Sequence, residues 1–104
     1  MAEKFDFYLV KPGPRPKFVS VARRLWGADD FDSDGNSRNA EDNQWTELTL
    51  IRRPDYIERI DIYPISEKPL VLMISSSSST LAQQAALFLA ETTNGTIYSE
   101  WPYA

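Results

Sequence analysis

The chain contains no cysteine and no histidine. Without cysteine there can be no disulfide framework and no thiolate zinc site. Without histidine the commonest general base and the commonest transition-metal ligand are both missing. Catalysis would have to run on carboxylates, lysine, tyrosine or serine alone, so the residue inventory points to a protein that is not an enzyme and needs no cofactor. Long apolar runs are lacking too: no stretch approaches the roughly 20 residues that span a bilayer. The opening "MAEKFDFYLVKPGP" has an early acid and too short an apolar run for a signal peptide. The expectation is a soluble, cytoplasmic protein without membrane contact.

What is present suits one ordinary globular domain over residues 1–104, with 42% hydrophobic and 25% charged residues. The net charge of −4 is unevenly spread. Asp29, Asp30, Asp32, Asp34, Glu41 and Asp42 face a single base, Arg38, in a stretch that sums to −5. Just upstream, Lys11, Arg15, Lys17, Arg23 and Arg24 come with no acid among them. These two poles are either self-complementary or offered to a partner. The overall acidity argues against nucleic acid, whose binding rests on phosphate neutralisation.

Phe5, Phe7 and Leu9 alternate with Asp6 and Tyr8, the pattern of a half-buried strand. "KPGPRP" breaks the chain, and Pro16 can open a helix that carries Phe18, Ala22, Leu25 and Trp26 on one face and stops at Gly27. Residues 28–43 lack periodicity and read as a long acidic surface loop. "WTELTLIRR" and "IERIDIY" read as strands joined by "RPDY", and "PISEKP" as another turn. "LVLMIS" suits a central strand, Leu81 to Thr92 a helix ended by Asn94-Gly95, and "TIYSEW" a closing strand. The order β-α-β-β-β-α-β predicts an α+β fold: a mixed sheet with two helices on one face, ferredoxin-like with an extra strand. Its last β-α-β unit should have parallel strands.

The run Ser75 to Ser79 sits between a strand and a helix, where orphan N–H groups can hold an anion. It has no glycine for close backbone approach and no lysine or arginine to neutralise a phosphate. The simpler reading is a solvated turn with Ser79 or Thr80 as the helix cap.

Asp30, Asp32, Asp34, Gly35 and Glu41 fit the spacing D-x-[DN]-x-[DN]-G-x5-E. The stretch resembles an EF-hand loop. That resemblance implies calcium bound by Asp30, Asp32, Asp34, the Asn36 carbonyl and a bidentate Glu41. Against the family pattern, Ser37 stands where an aliphatic residue is usual, Arg38 puts a cation beside the ion, and "DNQWTELTL" follows where an exiting helix belongs.

Asp6, Glu58 and Asp61 alternate with apolar residues and read as the solvent side of a sheet. Trp45, Trp101, Tyr98 and Tyr103 exceed the aromatic needs of a small core and serve either as sheet cover or as contact anchors. The helix over Leu81 to Ala90 is apolar around most of its circumference, which allows a homodimer.

The leading expectation is a non-catalytic protein-binding module: an acidic inhibitor, similar in general character to bacterial immunity proteins, covering a basic partner protein such as a toxin. Its contact residues would be Asp29, Asp30, Asp32, Asp34, Glu41, Asp42, Trp101 and Tyr103. The alternatives are a calcium-binding domain through residues 30–41 and, third, a small-ligand protein or carboxylate-based enzyme.

Overall fold

The computed structural model describes residues 4–27, 31–52 and 58–102. Alternation makes β1 (Phe5–Val10), and helix α1 (Phe18–Trp26) follows the proline-rich break. Gly27 closes α1 in the left-handed region at φ 69°, its N–H donating to the Arg23 carbonyl, a backbone state that costs glycine little. Strands β2 (Phe31–Gly35), β3 (Leu48–Arg52), β4 (Arg59–Glu67) and β5 (Leu70–Ser76) come next, then α2 (Ser79–Thr93) and the short β6 (Thr96–Tyr98). Among the described residues no helix is long and apolar enough to cross a membrane.

The class is α+β, as the element pattern predicts. The six strands lie in the order β2-β3-β4-β5-β1-β6, and every pairing is antiparallel. The expected mixed sheet is therefore corrected. β5 and β6 do run in the same direction, but β1 lies between them and bonds antiparallel to both. A crossover helix fixes the direction of two strands without making them neighbours, and sequence alone does not say which strand fills the gap.

Leu9, Leu48, Leu50, Ile60, Ile62, Leu72 and Ile74 turn to one face and meet Val21 and Ala22 of α1 and Ala85, Ala86 and Leu89 of α2. Both helices thus cover the same side, as expected. Small side chains on α2 let it lie close to the sheet. Most of this core is fully dry, and the removal of apolar surface from water does most to hold the layers together.

Three further local expectations are corrected. The segment 28–43 is not a loop throughout, because Phe31–Gly35 is a strand paired with β3 in the register Phe31↔Arg52 to Gly35↔Leu48. Its pattern is nearly all exposed, with Phe31 alone packing on the core, so hydrophobic periodicity could not reveal it. "PISEKP" is not the turn: β4 runs on through Pro64, with an irregularity between Pro64 and Ser66. Pro64 is tolerated because β3 reaches only as far as Ile62, leaving β4 paired on one side there. Finally, the cap of α2 is Ser78, one residue earlier than expected; its hydroxyl accepts from the Leu81 N–H at 3.3 Å.

Candidate functional site

With both helices on one side, the other side of the sheet carries its own ordered side chains. Register aligns Asp34 with Thr49, Thr49 with Asp61, Asp61 with Ser75, and Ser75 with Asp6. Carboxylates and hydroxyls thus alternate across five strands. The carboxylate-bearing strands are two positions apart, so successive carboxylates are separated by roughly 9.6 Å along the row. Two residues further along the strands, Tyr98, Tyr8, Met73 and Tyr63 form a parallel, mostly aromatic row. A third row, Asp32, Ile51 and Arg59, completes the β2 side.

The groups in these rows are bonded to one another. Thr49 Oγ1 donates to Asp61 Oδ1 at 2.7 Å, and the Arg59 guanidinium clasps the same carboxylate from 3.0 Å. Burial works to raise the pKa of Asp61. The hydrogen bonds from Arg59 and Thr49, with the charges of Arg59 and Lys4, outweigh it and hold the carboxyl below its ordinary value. The Tyr63 phenol is pushed up by burial and then by the negative charges of Asp6 and Asp61, so it stays a hydrogen-bond donor. Its hydroxyl meets the Met73 sulfur at 3.7 Å. Asp6 differs from the others: its Oδ1 is buried and has no hydrogen-bond partner among the described residues. A buried carboxylate oxygen left without a donor costs free energy.

Trp101 seats its ring edge-on against Tyr8, with centroids 5.7 Å apart. Tyr63, Tyr98 and Trp101 nevertheless remain 37%, 42% and 37% exposed, more than stacking for stability requires. Asp6, Asp32, Asp34, Glu47 and Asp61 stand on this side with Lys4 and Arg59, so acids outnumber bases among these residues. A cleft of about 210 Å³ opens where Asp34, Glu47, Thr49, Asp61 and Tyr63 meet.

The residues expected to bind a partner are not gathered at one point. Asp29, Asp30 and Tyr103 lie outside the described residues. Asp32 and Asp34 stand on the uncovered side of β2, and Trp101 is near β1 towards the opposite end of the sheet. Glu41 forms an ion pair with Lys17 at 2.9 Å, so the basic and acidic segments do in part complement each other. Asp42 turns its own loop, accepting the N–H groups of Arg38 and Gln44, which lower its pKa. Asp6, Asp61, Tyr8 and Tyr63 were legible as an alternating strand face but not as one site, because only the strand order makes them neighbours. Trp45 leaves the set of contact anchors: it is 1% exposed and its Nε1 donates to the Pro16 carbonyl.

The calcium geometry is also displaced. Asp32 and Asp34 belong to a paired strand rather than a loop curled around an ion. The Asn36 side-chain oxygen accepts from the N–H groups of Thr46 and Glu47 and its amide donates to Thr46 Oγ1. Among the described residues no group of three or more acids converges as a metal site.

The serine run is a structural device. Ser76 Oγ donates to the Arg59 carbonyl and accepts from the Ser78 N–H, while Ser78 caps α2. No family model, curated protein or solved structure matches this chain.

Proposed function

We propose that this protein is a non-catalytic protein-binding module that receives a basic segment of a partner on the uncovered side of its sheet, as a small acidic inhibitor or immunity-type protein would. The carrying observation is the row Asp34-Thr49-Asp61-Ser75-Asp6 running beside Tyr98-Tyr8-Met73-Tyr63. Tyrosine and tryptophan supply large, rigid contact area at low entropic cost. Carboxylates beside them select lysine or arginine through charge-assisted hydrogen bonds. The excess negative charge speeds encounter with a basic target and discriminates against acidic ones.

The test compares natural interaction partners captured by the original protein and by folded Tyr8→Ala and Asp6→Asn variants. A partner that the original protein retains and both variants lose, with an association rate that falls as salt rises, supports the reading. Partners unaffected by either substitution would move the site elsewhere.

A further inference from the structure

β2 is the outermost strand of the sheet, and no other described strand lies along its outer edge. Asn36 N–H donates to the Glu47 carbonyl, which sets the alternation: Asp32 and Asp34 point their backbone groups at β3, and Ser33 and Gly35 point theirs outward. The Gly35 N–H is held by the Asp34 carboxylate at 2.9 Å. An edge of this kind is a ready template for another strand.

We infer that the β2 edge takes an extended, basic segment of a partner protein as a seventh strand. This rests on the proposed binding of a basic partner and gives it a backbone geometry. Three observations select the occupant. Asp32 and Asp34 project from the same side of β2, so lysine or arginine at alternate positions of an added strand would face them. A second copy of this chain is disfavoured by the same residues. Antiparallel self-pairing about Ser33 would set each Asp32 against the other copy's Asp34, and like charges directly opposite are destabilising. Lastly, a cleft opens on each side of the sheet at this strand. One, about 190 Å³, is lined by Phe18, Ser33, Gly35, Ser37 and Leu48. The other, about 210 Å³, is lined by Gly35, Thr49, Asp61 and Tyr63. Asp34 borders both. Strand addition draws affinity from main-chain bonds and specificity from such pockets for alternate side chains. On docking, the Gly35 N–H passes to an incoming carbonyl and the Asp34 carboxylate is released to an incoming cation.

The probe is the synthetic peptide TKVKVKT, with lysines for the acidic side and valines for the Phe18 and Leu48 cleft. Its twin is N-methylated at both valines, which keeps every charge but removes the amides that would bond the outward carbonyls of β2, that of Ser33 among them. Binding is followed by calorimetry and by hydrogen exchange of the Ser33 amide. We expect saturable binding of the first peptide, slowed exchange at Ser33, and roughly tenfold or greater weakening for the twin. Equal affinity of the two peptides overturns edge pairing while leaving binding by the sheet's uncovered side intact. Absence of binding, or binding without protection at Ser33, also overturns it.

Discussion

The indole of Trp101 meets the ring of Tyr8 edge-on, with planes inclined at 70° and centroids 5.7 Å apart. This contact fastens the segment after β6 over the uncovered side of β1. Trp101→Ala should cost about 0.5–1.5 kcal/mol beyond lost burial, read from urea denaturation. With 5-fluorotryptophan in place of tryptophan, the Trp101 resonance should shift when a basic partner binds, and that of buried Trp45 should not. A reversed pattern would place the contact surface away from Tyr8.

The serines near α2 should differ sharply from one another. Ser78→Ala removes the cap and should cost about 1 kcal/mol. Ser76→Ala removes a donor to the Arg59 carbonyl and an acceptor for the Ser78 N–H, with an expected loss of about 1–3 kcal/mol because the site is buried. Ser79→Ala, at the exposed first residue of the helix, should be nearly neutral. Equilibrium unfolding of the three variants checks the order.

Acid should unfold the protein partly through Asp61. Its carboxyl titrates below the ordinary value in the fold, despite burial, because Arg59 and Thr49 bond it and Arg59 and Lys4 add positive charge. A depressed folded pKa contributes stability that is present above the unfolded value of about 3.9 and is lost as pH falls through the lower folded value. Asp61→Asn should be less stable at neutral pH and should show a shallower loss below about pH 4. Parallel pH profiles for the two proteins would contradict this origin.

Gly35 is held at φ 152°, and a β-carbon there would collide with the Glu47 carbonyl oxygen. Gly35→Ala should therefore cost about 1–3 kcal/mol and raise amide exchange along β2 and the facing residues of β3 more than in the core. Exchange that stays unchanged in β2 would show that the edge tolerates the side chain.

Calcium should give no saturable calorimetric isotherm at low salt, because Glu41 is paired with Lys17 and Asp32 and Asp34 are held in a strand paired with β3 rather than in a loop around an ion. Binding of one ion, lost in Glu41→Gln, would show that the segment rearranges to coordinate it.

The sequence by itself determined the elements whose residues repeat in space at a fixed period. Phe7 and Leu9 on β1, the stop at Gly27 and the turn at Asn94 are set locally, by side-chain alternation and by backbone conformations that few residues adopt. The α+β class follows from their order. The tertiary structure alone decided what depends on partners distant in the chain. Phe31–Gly35 becomes a strand because β3 offers it hydrogen bonds, not because its own pattern demands one. Pro64 stays within β4 because no strand needs its missing N–H. Asp6, Asp61 and Asp34 come from widely separated segments, and only the order β2-β3-β4-β5-β1 lines them up. Register is a long-range property, fixed by which apolar faces can be buried together, so a row of carboxylates that crosses five strands has no signature along the chain.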